Sequence, residues 1–314
     1  MHQSHVVERV TLPQGPTMAN DIIGWIGAGK MGGPMSKRLV DAGHRVIVLE
    51  PDADNRQLAE RSGATLASDL ADLARQATVV FSMIPNDRVL GSIVEGDGGL
   101  AGLMAPGAVL VEMSTVSPAA SKRAAAALAA HDIAYLRAPV SGSTALAANG
   151  TLSVMASGPR DAYDRVEPLL ATMAAKRFYL GEAEQARYLK LVVNSLVGAT
   201  SSLLAEALAL GLKGDLSLSD MLDVIGQSAV ASPLLGYKKD MVVKGDYAPA
   251  FTVEQMIKDF DLIMDTARAD HVPMSLAALV RQRYEQAFVD GNGQRDFFVL
   301  CETDATRPVA QAAE

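Results

Sequence analysis

The sequence predicts an α/β fold: a Rossmann domain, with a mostly parallel doubly wound sheet, followed by an all-α C-terminal domain joined to it by a long interdomain helix. Three observations carry this. Short β-rich runs alternate with helical stretches over residues 21–182, a G-x-G-x-x-G pattern closes the first run, and strand-like patterning stops after Gly181. The chain has 314 residues, enough for two domains. The expected division is a tail at 1–20, the Rossmann domain at 21–182 and the all-α domain at 183–314.

The first twenty residues, MHQSHVVERVTLPQGPTMAN, lack the apolar core of a secretory signal and read as a tail without a chemical role. Met18 offers an alternative start, and His2 and His5 read as incidental rather than metal-binding. Ile22–Ile26 is the first strand. Met31–Ala42 follows as a helix, with Met35 and Leu39 one turn apart and Gly43 as its stop. Arg45–Leu49, Thr78–Ile84 and Ala108–Met113 are the next strands, with Ile133–Leu136, Leu152–Ala156 and Arg177–Leu180 as further candidates. Near-continuous apolar strands separated by helices imply a parallel sheet covered on both faces. The alanine-rich stretch Ala119–Ala130 reads as a surface helix.

From Ala183 to about Lys213 the chain has no proline, which predicts one helix roughly 45 Å long. It is apolar on nearly every side and is expected to be buried all round, with Lys190, Asn194 and Glu206 interrupting it too often for a membrane span. Ser219–Ser228, Val253–Arg268 and Ser275–Phe288 complete a helical half with no convincing strand.

Hydrophobic residues make up 49% and charged residues 20%, with a net charge of −8. That acidic balance argues against nucleic acid or an anionic membrane as the main partner. No apolar run reads as free enough of charge to cross a bilayer. Cys301 is the single cysteine, so no internal disulfide forms, which fits a reducing, cytoplasmic compartment. It reads as a packing residue, and no metal site is expected.

The first strand runs into Gly27-Ala28-Gly29-Lys30-Met31-Gly32, at the junction of strand and helix. Gly27 permits the tight turn, Gly29 lets backbone approach a pyrophosphate, and Gly32 lets helix and sheet pack closely. The helix N-terminus turns free N–H groups toward the phosphates. Glu50 ends the second strand 23 residues beyond Gly27, where a carboxylate accepts hydrogen bonds from the adenosine ribose and repels a 2′-phosphate. Pro51 and Asp52 follow, with no arginine directly after Glu50 to hold that phosphate, so NAD is expected rather than NADP.

Three segments bear on the reaction. Ala138-Pro139-Val140-Ser141-Gly142-Ser143 follows a strand and precedes Asn149-Gly150; it reads equally as an anion-binding nest for a substrate carboxylate or as an ordinary turn. Lys190 and Asn194 are four apart on the apolar helix and share a face. Burying an ammonium is costly, so Lys190 either snorkels to the domain edge or serves as a general acid/base with a lowered pKa. Lys258-Asp259 alone reads as a helix-surface charge pair.

Together these segments resemble the β-hydroxyacid dehydrogenases, the 3-hydroxyisobutyrate dehydrogenase-like family. The resemblance covers about residues 21–300 and rests on GAGKMGGPM at 27–35, SMIPND at 82–87, EMSTVSP at 112–118, APVSGS at 138–143 with NGTLSVMASG at 149–158, KLVVN at 190–194 and KD at 258–259. It implies hydride transfer between a substrate carbinol carbon and nicotinamide, with Lys190 as acid/base and Asn194 holding the substrate. It further implies that Ser141, Gly142 and Ser143 bind a small carboxylate substrate. Met83, Ile84 and Thr115 would line the cofactor, Lys258 would reach its nicotinamide end, and Asp259 would help place Lys258. A homodimer or homotetramer packed through the helical domain is implied as well.

Two positions depart from the family pattern. Ser143 stands where a second glycine is usual, which bears on substrate identity. Arg137 stands where an acidic residue is usual; it reads as a surface substitution or as added positive potential for an anionic substrate. The ending MASG at 155–158 leans toward the threonate branch. The competing activities are reduction of a semialdehyde, glyoxylate or imine, and a non-catalytic NAD-binding protein; the presence of Lys190 speaks against an imine reductase and against the non-catalytic reading.

Overall fold

A computed structural model describes residues 22–96 and 98–306. The tail at 1–20, with His2, His5 and Met18, lies outside the described residues. The first half alternates strand and helix: β1 (Ile22–Ile26), α1 (Gly32–Asp41), β2 (Arg45–Leu49), α2 (Ala53–Arg61), β3 (Thr65–Leu66), α3 (Leu70–Gln76), β4 (Ala77–Ser82), α4 (Asp87–Val94), α5 (Leu100–Leu103), β5 (Val109–Glu112), α6 (Pro118–Ala129) and β6 (Ala134–Arg137). These six strands form one parallel sheet in the order β3-β2-β1-β4-β5-β6. The central strands are apolar on both faces because helices cover both; Trp25 of β1 stacks on Phe81 of β4 with centroids 5.4 Å apart. The strand order reverses between β1 and β4. The carboxyl ends of these two strands therefore bound the crevice in which such sheets bind ligands.

The chain then builds β7 (Val140–Ser141), α7 (Thr144–Ala148), β8 (Leu152–Ala156), α8 (Arg160–Met173) and β9 (Ala174–Tyr179). Strands β7, β8 and β9 make a separate three-stranded sheet, antiparallel then parallel, tied to β6 by an isolated bridge between Arg137 and Ser157. The two-residue strands β3 and β7 are too short to leave a period-two pattern. Helix α6 is a surface helix that buries Ala120, Ser121, Ala124 and Leu128 along one edge.

The helical half begins with α9 (Gln185–Lys213), 29 residues and about 44 Å long. It continues through α10 (Leu218–Gly226), α11 (Pro233–Lys244), α12 (Val253–Ala269), α13 (Ser275–Ala287), a short 3₁₀ turn at Phe297–Val299 and α14 (Leu300–Thr306). A capping box of Thr252 and Gln255 starts α12 and fixes the entry of the helix that carries Lys258. Leu204, Leu208, Phe260, Tyr284 and Phe298 form the core between these helices, and Cys301 is buried in it as a packing residue.

Two expectations about α9 are corrected. It is not buried all round: Leu196, Leu203 and Leu210 are 64%, 68% and 76% exposed. The described residues leave this stripe of the helix uncovered. By length and composition α9 is also apolar enough to cross a membrane, at mean hydropathy 1.5, because the charges at Lys190 and Glu206 leave long uncharged stretches. In this fold its other face packs against α12, α13 and α14 as the central helix of the lobe.

Candidate active site

The glycine loop joins β1 to α1. Gly27 has φ +85°, and a Cβ there would lie 2.2 Å from the Met83 carbonyl oxygen. A Cβ on Gly32 would lie 1.9 Å from the Gly27 oxygen, so only glycine lets α1 start so close to the turn. Trp25 Nε1 donates to that same Gly27 oxygen at 2.9 Å. A Cβ on Gly29 has only Asn55 Nδ2 near it, at 3.9 Å. The space beside Gly29 is thus a cradle that no described residue fills, matching the backbone approach a pyrophosphate needs. Lys30 is exposed and Met31 half-buried at the lip of this loop. Glu50 closes it from β2, with its carboxylate accepting from the Ala28 N–H at 2.6 Å and the Asp52 N–H at 2.9 Å. The two oxygens of Glu50 therefore hold the loop on one side and retain lone pairs for a second partner.

The loops after β4 and β5 form the other wall. Met83 N–H donates to the Ile26 oxygen at 2.8 Å, and Ile84 N–H to Ser114 Oγ at 2.7 Å. Asp87 accepts from the Ser117 N–H and hydroxyl at 2.8 and 2.5 Å, locking the two loops together. Lys258 reaches this wall from α12: its Nζ donates to the Thr115 oxygen at 3.1 Å and the Pro85 oxygen at 3.4 Å. The helical lobe is thereby fastened to the loops that carry Met83, Ile84 and Thr115.

Lys258 and Asp259 are not a surface pair. Asp259 is fully buried; its Oδ1 lies 2.9 Å from Lys258 Nζ, and its Oδ2 accepts from Asn194 Nδ2 at 2.5 Å. Lys190 sits one turn before Asn194 on α9, half-buried, and no described residue makes a hydrogen bond or ion pair with its amine. Burial lowers its pKa from 10.5 to about 8; Asp259 opposes that shift and Lys258 adds to it. The structure therefore links Asn194, Asp259, Lys258 and the Thr115 loop through hydrogen bonds and an ion pair, with Lys190 one turn before Asn194 and within electrostatic reach of Asp259 and Lys258.

The segment 138–143 leaves β6 beside β5, with Ala138 N–H donating to the Glu112 oxygen at 2.7 Å. Gly142 has φ +141°, and a Cβ there would meet Leu152 Cδ2 at 2.7 Å, which reserves the position for glycine. Ser141 and Ser143 are half-buried, and no hydrogen bond ties them to Lys190 or Asn194. Ser143 caps α7, accepting from the Leu146 N–H at 3.4 Å, so the departure from glycine has a local structural use. Arg137 is neither a surface residue nor a free charge for an anionic substrate. It is 6% exposed, stacks over the Tyr135 ring at 4.8 Å and forms a buried ion pair with Glu184, the residue preceding α9.

Reasoning from sequence missed Arg187. It lies one turn before Lys190, is 1% exposed and is ion-paired with Glu112 at the end of β5. Its Nη1 donates to the Ser114 oxygen at 2.8 Å, its Nη2 to the Tyr135 hydroxyl at 3.0 Å and its Nε to Ser121 Oγ at 3.3 Å. Burial works against this cation, but the Glu112 carboxylate and Tyr135 more than offset it and raise its pKa. The available signal was the pairing of an acid ending the apolar strand 109–112 with an arginine opening an apolar helix.

Two family models cover the chain. Residues 22–181 match the NAD binding domain of 6-phosphogluconate dehydrogenase, and residues 185–302 match a domain described as NAD-binding of NADP-dependent 3-hydroxyisobutyrate dehydrogenase. An L-threonate dehydrogenase of Cupriavidus necator is 34% identical, covering 87% of this chain and 93% of its own. A 3-hydroxyisobutyrate dehydrogenase of Pseudomonas aeruginosa is 33% identical, covering 83% and 90%. Among solved structures, a 3-hydroxyisobutyrate dehydrogenase from Salmonella typhimurium superimposes with a TM-score of 0.82 at 28% identity, covering 90% of this chain and 99% of its own.

Proposed function

This chain belongs to the 3-hydroxyisobutyrate dehydrogenase-like β-hydroxyacid dehydrogenase family, and on that premise we propose that it oxidises a small β-hydroxy acid with NAD, using Lys190 as general acid/base. Membership makes it an NAD(P)-dependent oxidoreductase acting on CH–OH groups. The observation that carries the finer reading is the Lys190 amine: half-buried, without a carboxylate partner, and one helical turn from Asn194 in the group that Lys258 fastens to the cofactor loops.

In this reading the boundary between lobes falls near residue 182, with the dinucleotide lobe before it and the substrate lobe after it. The loop Gly27-Ala28-Gly29-Lys30-Met31-Gly32 holds the pyrophosphate, Glu50 the adenosine ribose, and Met83, Ile84 and Thr115 the nicotinamide side. A nicotinamide cofactor held by these residues would supply the acceptor for the hydride of the carbinol carbon. The neutral Lys190 amine removes the hydroxyl proton as the carbonyl forms, and the ammonium returns it in reduction. Asn194 orients the substrate hydroxyl, and Asp259 holds Asn194 and Lys258 in register. Ser141, Gly142 and Ser143 take the substrate carboxylate. Glu50 favours NAD because a 2′-phosphate would face its carboxylate. The exposed leucines of α9 support a homodimer or homotetramer, and the single, buried Cys301 is compatible with a cytoplasmic setting.

The test is turnover of L-threonate and 3-hydroxyisobutyrate, with NAD and NADP compared, alongside related small hydroxy acids. Oxidation of at least one with NAD preferred is expected. Activity confined to reduction of imines, or to NADP, would overturn the reading.

A further inference from the structure

We propose that Arg187 is a positioning residue for the acid/base at Lys190: it plugs the first turn of α9 into the ends of β5 and β6 and so sets the height and rotation of the helix that presents the lysine. This rests on the reading of Lys190 given above. Glu184, Arg187, Lys190 and Asn194 follow one another at intervals of three, three and four, so they lie along one face of α9. The first two bind the nucleotide lobe, and the next two belong to the proposed chemistry. Lys190 is only three residues beyond Arg187, about 4.5 Å along the axis, so the helix has little length over which to absorb an error.

The hydrogen bonds of Arg187 fan out over five acceptors: the Glu112 carboxylate and carbonyl, the Ser114 carbonyl, the Tyr135 hydroxyl and Ser121 Oγ. A planar guanidinium held at that many points fixes direction as well as distance, which a single ammonium does not. The same cluster reaches the cofactor wall. Glu112 Oε1 accepts from the Ser114 N–H at 2.9 Å, and Ser114 Oγ accepts from the Ile84 N–H at 2.7 Å. The loop proposed to meet nicotinamide and the helix bearing the lysine are therefore braced against one buried cluster. The Arg137–Glu184 pair and Ser157, whose Oγ accepts from the Ala186 N–H at 3.1 Å, brace the preceding residues.

Stability alone is a poor reason for these charges. A buried ion pair repays little more than its desolvation, and neutral side chains of similar size often serve as well. Placement is what neutral side chains would not reproduce, and misplacement of about 1 Å at a reacting group costs rate on the order of 100-fold.

The experiment uses the double variant Glu112→Gln/Arg187→Met in the full chain. The glutamine keeps an acceptor for the Ser114 N–H, and neither charge is left unpaired. NAD affinity is read from the fluorescence of the single tryptophan, Trp25, whose indole contacts the Gly27 oxygen. With 3-hydroxyisobutyrate or L-threonate as substrate, kcat is expected to fall about 30-fold or more, while KM and the NAD Kd stay within about threefold. The alkaline rise in oxidation rate is expected to move upward as the lysine gains water; Asp259 and Lys258, the charged groups facing it from α12, are unchanged. Amide exchange over 184–194 is expected to quicken. A kcat within about threefold of wild type overturns the proposal. So does parallel loss of Tm, NAD binding and kcat, which marks a purely structural pair. Lys190→Met assayed beside it separates the two claims: turnover surviving that change refutes the acid/base reading, while the exchange data still decide whether Arg187 locks the helix.

Discussion

An ammonium that has lost water without gaining a carboxylate is ready to release its proton, and Lys190 is in that state, with a pKa lowered to about 8 chiefly by burial. The sign of its pH dependence follows. With Lys190 in the proposed acid/base role, oxidation needs the neutral amine, so kcat/KM for the hydroxy acid should rise with pH and level off above about 8. Reduction needs the ammonium and should fall over the same range. Initial rates in both directions from pH 6 to 10 check this; parallel profiles would remove Lys190 from the proton path. The same desolvation makes Lys190 a burden on folding below about pH 8, easing as pH rises toward 10.5, because the unfolded chain binds the extra proton in that window. Lys190→Met should therefore abolish turnover, leave NAD binding nearly intact and leave Tm at pH 7 unchanged or a few degrees higher. A lower Tm would mean that the amine has a structural partner. Glu50 is the other residue with a separable role: Glu50→Ala should erode the preference for NAD over NADP in paired Kd measurements, and unchanged selectivity would return it to holding the Ala28 and Asp52 N–H groups.

Between elements, the contact that places the site is α9 against α12. At Gly198, one turn beyond Asn194, an added Cβ would lie 2.3 Å from Phe260 Cε2, so the glycine makes room for the Phe260 ring of α12 to pack directly on α9. That packing lets Asn194 reach Asp259 and carries Lys258 to the Thr115 loop. Gly198→Ala should push α12 outward and lower kcat by about tenfold or more, with NAD affinity little changed, since the glycine loop is remote in the chain. Equal kcat in a steady-state comparison would show that the ring moves aside freely. Elements also mark how far sequence reaches. The loop at 27–32 is legible because each glycine answers a local backbone demand and the flanking strand and helix carry their own periodicity. Lys190 is legible because a cation on an apolar helix is a local contradiction. Arg187 and Arg137 are not, because their acids, Glu112 and Glu184, lie 75 and 47 residues away and only the fold brings them together. Ser143 is legible as a departure but not as the cap of α7, since a five-residue helix leaves no periodic trace.

For the whole molecule, the expectation that α9 is buried on every side fails informatively. Counting apolar positions along one helix says how much surface has to be covered, not whether the same chain covers it. Leu196, Leu203 and Leu210 recur every seven residues, which keeps them on one face with a drift of only about 20° per repeat. They remain 64% to 76% exposed. Burying a leucine side chain fully contributes roughly 1.5–3 kcal/mol, so a stripe of three is a substantial drive toward association. A second copy of the chain, related by a two-fold axis, would present the same stripe and cover it reciprocally. Lys190 and Asn194 lie on the opposite face of α9, where Asn194 meets Asp259 of α12, so the stripe can be altered without touching them. Leu203→Glu/Leu210→Glu should place like charges where the copies would meet and shift the mass measured by light scattering to that of a monomer. NAD binding should persist, because the glycine loop and Glu50 lie wholly in the other lobe. A wild-type protein that already runs as a monomer at tens of micromolar, or a variant whose mass does not change, would show that this face is covered by something else or left bare.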